Sequence, residues 1–168
     1  RNIDKENKRS FSSKHHTVSP YSLIWKNDHY YLICNINGHD NLTNLRLDRI
    51  SKISILSDAA RDISEVSEYT DKFDVSDYSS KMFNMFSGTI TDVHFKCSLD
   101  LREEILDRFG SAISLKATDF NHFETNIKAA LSDGLVSWIM QFGDSIEVIE
   151  PKELADMVVQ KAEKIRNM

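Results

Sequence analysis

An α+β chain is what this sequence predicts: a small antiparallel β-barrel in front, a helical connector, and an α/β sandwich behind. Three observations carry that expectation. Apolar residues alternate in short runs before residue 58, recur at helical spacing between 58 and 90, and then follow an alternating order of strands and helices to the end. The expected divisions are 1–57, 58–90 and 91–168.

The front runs are "KHHTVSPYSLIW", "HYYLICNI", "LTNLRLD" and "ISKISIL", separated by the turn residues of "KND" and "NGHDN". In "PYSLIWKNDHYYLICNI", two apolar segments of strand length flank Lys26, Asn27 and Asp28, which predicts a hairpin. Alternation puts Tyr21, Leu23 and Trp25 on one face of the first strand, and Tyr30, Leu32, Cys34 and Ile36 on one face of the next. Those faces are expected to build the barrel core, with Trp25 structural. Tyr31 then points the other way.

In the connector, Tyr78, Met82, Met85 and Phe86 share one helical face, predicting a short helix that starts near Asp74 or Ser76, stops at Gly88 and docks by that stripe. Behind it, "VHFKCS" reads as a strand and "LDLREEILDRF" as a helix with Leu101, Ile105 and Phe109 inward, ending at Gly110. "AISLKAT" and "HFETNIKAAL" are two further strands. Ser132 is the expected N-cap of a helix burying Leu135, Trp138, Ile139 and Phe142 and ending at Gly143. "SIEVIE" follows as a strand, and Pro151 opens a last helix through Leu154, Met157, Val158 and Ile165. The order β-α-β-β-α-β plus a helix is the split pattern of a ferredoxin-like sheet.

Composition narrows the class of function. The chain has 168 residues, 40% hydrophobic and 28% charged, with no apolar run long enough for a membrane span and no apolar segment near the start that reads as a signal peptide. A cytoplasmic protein is expected. It begins with Arg1 rather than Met and reads as part of a longer polypeptide. Cys34 and Cys97 lie inside apolar runs and are expected to be buried free thiols. Residues 1–57 carry nine Lys or Arg against five Asp or Glu, a charge of +4; the rest carry twelve against twenty-one, or −9. The front could hold an anion or simply be a solvated basic surface, whereas the rear repels nucleic acid backbone.

The parts of common catalytic sites do not assemble. There is no Gly-x-Ser-x-Gly elbow, phosphate-cradling Gly-rich loop, His-Glu-x-x-His or Cys-x-x-Cys, so neither an enzyme nor a cofactor is expected. Glu103, Glu104 and Asp107 read as partners of Arg102 and Arg108 on a solvated helix face. His15 and His16 are neighbours that point to opposite sides of a strand and do not chelate one ion together. "NLRLDRI" places Arg46 and Arg49 three residues apart beside the aromatic hairpin. Guanidinium groups beside Tyr rings suit phosphate or base recognition, and a surface ion pair with Asp48 explains the same residues. An enzyme acting on a nucleotide would have Asp48 as its nearest carboxylate.

With these residues in view, "VSPYSLIWKNDHYYLICNI" followed by "LRLDRI" resembles the WYL domain, with Tyr30, Tyr31 and Leu32 standing at its signature and Tyr30 in place of the tryptophan. "LREEILDRFG", "GLVSWIMQFG" and "IEVIEP" are similar, in order, to the WCX extension that follows such domains. The resemblance implies a bacterial transcriptional regulator whose N-terminal helix-turn-helix lies outside this chain and alone contacts DNA. It implies an Sm-like or SH3-like barrel that binds a nucleotide or single-stranded nucleic acid, and ligand positions at Tyr31, Arg46 and Arg49, with His16, Ser19 and His39 added. A homodimer through the ferredoxin-like part fits that picture. The rival expectation is a constitutive protein-interaction module with no small ligand.

Overall fold

The structure is a computed structural model that describes residues 2–3, 9–10, 14–70 and 72–168. Two short strands, β1 (Asn2–Ile3) and β2 (Arg9–Ser10), pair with each other. The front sheet follows as β3 (Val18–Lys26), β4 (His29–Ile36) and β5 (Leu42–Arg46), an antiparallel meander in that spatial order. Asn27 and Asp28 turn the first hairpin at φ 51° and 58°. Both belong to the residue types that tolerate the left-handed region, which a two-residue turn between twisted strands demands.

No sheet closes on itself among the described residues. The expected fourth front strand, "ISKISIL", is not a strand: after a 3-10 turn at Leu47–Arg49 the chain runs free of the sheet, with Ile53 73% and Ile55 97% exposed. An alternating segment becomes a strand only when it finds a neighbour to pair with and a face to cover, and this one has neither.

The front sheet is covered on one face by the connector, and that choice reverses the expected core at Leu23, Trp25 and Tyr30, while Tyr21 packs on the connector and Cys34 is buried as expected. Tyr31 and Ile33 are buried with Leu42 against Val66, Tyr78, Met82 and Met85. Trp25 and Tyr30 are 57% and 54% exposed, and Leu23 is exposed beside them. Their rings meet edge to face at 4.7 Å on the open side. Alternation settles which residues share a face; which face is covered depends on the element that arrives later in the chain.

That element is shorter than its stripe predicts. The helix α1 (Val75–Ser80) is capped by the Asp74 carboxylate, which accepts from Asp77 N at 2.9 Å, and it ends well before Gly88. Asn84 and Met85 adopt φ 51° and 57°, so the helix cannot continue through them. Tyr78, Met82 and Met85 are buried all the same, while Phe86 turns out to solvent.

The rear unit contains β6 (Ile90–Ser98), α2 (Arg102–Phe109), β7 (Leu115–Ala117), β8 (His122–Ala130), α3 (Asp133–Ile139), β9 (Ile146–Glu150) and α4 (Lys152–Arg166). The strands lie in the order β7-β8-β6-β9, every neighbouring pair antiparallel. Val93, Phe95 and Cys97 face the helices and are fully covered, packed with Ile105, Leu135, Trp138 and Leu154. Ser132 caps α3, Gly110 ends α2 at positive φ, Gly143 kinks the 3-10 stretch Met140–Ser145 that follows α3 rather than ending α3 itself, and Ile165, expected inward, is exposed on α4.

Connector and rear unit are fitted backbone to backbone. Ala130 N donates to Lys81 O and Leu131 N to Thr89 O, each at 3.0 Å. A Cβ on Gly88 would lie 2.0 Å from Leu131 O, and one on Gly134 would lie 2.3 Å from Phe83 O. Only glycine permits either approach.

Candidate anion-binding surface

At the hairpin end of the front sheet, Arg46 stands in register with Tyr31, which stands in register with Ile24. Its guanidinium is engaged from within the chain: Nε donates to Asp48 Oδ1 at 3.1 Å, Nη2 to Asp48 Oδ2 at 2.9 Å, and Nη2 lies 3.3 Å from His29 Nδ1. The hydrogen bonds to Asp48 hold Arg46 above its ordinary value. Arg49 ends the 3-10 turn exposed. Tyr31 is 6% exposed, so it lines the seam with the connector rather than an open groove.

The remaining expected positions gather at the opposite end. Ser19 and Asn35 pair across β3 and β4, four residues from Tyr31, a separation of about 13 Å along the strand. The Ser19 hydroxyl accepts from Arg61 N at 2.9 Å, and Tyr21 Oη donates to Arg61 O at 3.1 Å. Arg61 Nη1 donates to Asn35 Oδ1 at 3.3 Å and to His39 O at 3.2 Å, so the connector is latched over Ser19 and the His39 loop. His16 is exposed in the segment just before β3. The structure therefore brings Arg46 and Tyr31 together, and separately Ser19 and His39, without joining the two groups.

Three residues outside the expected set hold this surface to the rest of the molecule. Asn44 Oδ1 accepts from the buried Tyr78 Oη at 3.1 Å, Asn44 Nδ2 donates to Met85 O at 3.2 Å, and Asn44 N donates to Ser87 Oγ at 3.0 Å. Lys26 Nζ donates to Ser79 O at 2.9 Å, and from the rear Arg108 Nη2 donates to Met82 O at 3.1 Å. A sequence signal existed for Asn44: it shares the parity of Leu42, and a polar residue at an inward strand position needs a partner.

A cavity of about 340 Å³ between β5, the connector and the start of β6 includes Leu42, Tyr69 and Tyr78 in its lining. Asp40, Glu65 and Glu68 line it too, so it repels an anion. Burial pushes the Cys34 thiol up to about 11 and the Cys97 thiol up to about 12, and both are free. Among the described residues no group of His, Cys, Asp and Glu is placed to hold a metal, and no helix is long and apolar enough to cross a membrane.

Residues 6–55 match the family model of the WYL domain, and residues 90–166 match that of the WCX domain. No curated protein matches the chain. Among solved structures it is similar to proteasome accessory factor B/C (PafBC) of Arthrobacter aurescens, at 15% identity and a TM-score of 0.37. That likeness covers 92% of this chain and 23% of the other, so the chain spans under a quarter of that protein's length. The chain therefore carries a WYL domain leading into a WCX domain.

Proposed function

We propose that this chain is the non-enzymatic, ligand-responsive part of a transcription regulator. Its WYL sheet, the open face of an Sm-like or SH3-like unit, receives a nucleotide or single-stranded nucleic acid, and its ferredoxin-like WCX unit pairs with a second copy. The observation that carries this reading is the double attachment of the connector, by Asn44 and Arg61 to the WYL sheet and by backbone hydrogen bonds to the WCX unit. A ligand changes an equilibrium only between states it binds differently. A ligand touching the sheet and the Arg61 latch together meets that condition.

The candidate positions Tyr31, Arg46 and Arg49 at one end and His16, Ser19 and His39 at the other are about 13 Å apart along β4. An elongated single strand spans them better than a mononucleotide does. DNA contact by the intact regulator would then fall to a helix-turn-helix elsewhere in its polypeptide.

Thermal stability in the presence of short single-stranded DNA, RNA and nucleotides tests the reading. A ligand at one hundred times its dissociation constant stabilises by about 2.7 kcal/mol. The stabilisation is expected to fall in Arg46→Ala plus Arg49→Ala. A second reading, a constitutive protein-interaction module, draws support from the Arg46 to Asp48 pair and from the outward apolar face of Leu23, Trp25 and Tyr30. Under it the double variant leaves every such affinity unchanged.

A further inference from the structure

Where the hairpin end of the WYL sheet, the connector and the WCX unit meet, one cation from each unit reaches the same turn of the connector. Lys26 comes from the last position of β3 and Arg108 from the last turn of α2. Each reaches a backbone carbonyl of the same connector turn, Lys26 that of Ser79 at 2.9 Å and Arg108 that of Met82 at 3.1 Å. Arg108 also lies over the Phe83 ring, 4.3 Å from its centroid. Both side chains are half-buried, and neither has an ion-pair partner among the described residues.

Capping of connector carbonyls uses one donor on each side chain and leaves the other N–H groups free. It does not account for two like charges brought together across a domain seam. Burial first, and then the charge of Arg108, hold Lys26 below its ordinary value, and burial does the same to Arg108. An oxyanion would relieve that repulsion and accept charge-assisted hydrogen bonds from both. Arg46 offers less, because its fork is already filled by Asp48.

We propose that Lys26 and Arg108 together bind a phosphate group at the seam between the WYL sheet and the WCX unit. The phosphate comes from a phosphorylated small molecule or from a nucleic acid strand. This rests on the anion-binding reading above and deepens it, adding a contact at the seam to those of Arg46 and Arg49. A phosphate held there touches β3, the connector turn and α2 at once, and so favours the placement of the two units seen in the structure.

Calorimetry on the 168-residue chain at constant ionic strength tests it, with pyrophosphate and with 5′-phosphorylated and unphosphorylated oligothymidylate as probes. Lys26→Gln and Arg108→Gln are each expected to weaken pyrophosphate about tenfold or more, the size of one lost charged hydrogen bond. Lys26→Arg should restore most of the affinity, and Arg46→Ala plus Arg49→Ala should weaken pyrophosphate less than either Gln variant does. Preference for the phosphorylated oligonucleotide assigns a terminal phosphate, and equal binding of both assigns backbone phosphodiesters. Affinity that survives both Gln variants overturns the seam site; if it is lost in the Arg46 and Arg49 variant alone, the sheet reading stands. No binding by any probe overturns both. Should the Gln variants fail to fold, the Lys26 ammonium resonance of the unaltered chain is followed during pyrophosphate titration, and its failure to move at saturation overturns the proposal.

Discussion

Asn44 and Gly88 are the residues at which the junction is most exposed to a single change. Asn44→Ala leaves the Tyr78 hydroxyl, in a residue 2% exposed, without its acceptor and frees Met85 O. Unfolding in urea should show a loss of about 2 kcal/mol, the usual cost of stranding a buried polar group. Gly88→Ala forces a Cβ onto Leu131 O and should cost about 3 kcal/mol or more. Asn44 was not singled out from sequence, and Gly88 was expected only as a helix stop. Asn44 was readable in principle from its parity, whereas the contact at Gly88 joins segments more than forty residues apart and has no local signal. The Arg46 to Asp48 pair was legible from proximity in "RLD", and the Arg61 latch was not, because nothing near Arg61 marks its distant acceptors at Asn35 and His39.

The connector is the element that decides which face of the WYL sheet is inside. Its buried stripe of Tyr78, Met82 and Met85 was visible as a helical spacing, although only Val75–Ser80 are helical. A stripe reports which residues need cover, and the turn at Asn84 and Met85 supplies that cover without a longer helix. The sheet's inner face was therefore misassigned to Trp25 and Tyr30, for want of any local mark of where the connector lands. The connector also carries an ionic cluster: Lys81 Nζ donates to Glu68 Oε1 at 2.5 Å and to Asp77 Oδ2 at 2.7 Å, and Tyr69 Oη donates to Asp77 at 2.6 Å. Burial raises Asp77, but hydrogen bonds from Lys81 and Tyr69 outweigh it and hold the carboxyl below its ordinary 3.8. A depressed carboxyl contributes stability above its unfolded value, and that contribution is lost as pH falls through the lower folded value. Acid unfolding should therefore steepen below about pH 4, and Asp77→Asn should flatten that limb of the curve.

For the whole molecule, two buried thiols report separately on the two units. Cys34 belongs to the WYL sheet and Cys97 to the WCX sheet; with burial holding them at about 11 and about 12, both should resist a thiol reagent until their sheet opens. The WYL sheet has three strands and depends on the connector for its core, so Asn44→Ala should speed labelling of Cys34 much more than of Cys97. Equal acceleration would mean one cooperative unit. The strand and helix order of the rear unit was legible throughout, since each element there carries its own cap, stripe or glycine stop. Three of the four expected front strands were legible, but not the architecture, because closure of a sheet depends on partners that alternation does not name.

On the proposed function, an anion changes how the WYL and WCX units sit against each other. The measurement is the distance distribution between spin labels at Leu23→Cys and Gln160→Cys, both at exposed positions, with Cys34 and Cys97 too buried to label. It is recorded with and without saturating pyrophosphate or 5′-phosphorylated oligothymidylate. A shifted or narrowed distribution is expected on saturation, abolished by Lys26→Gln. An unchanged distribution, with binding verified by calorimetry on the same sample, would contradict it.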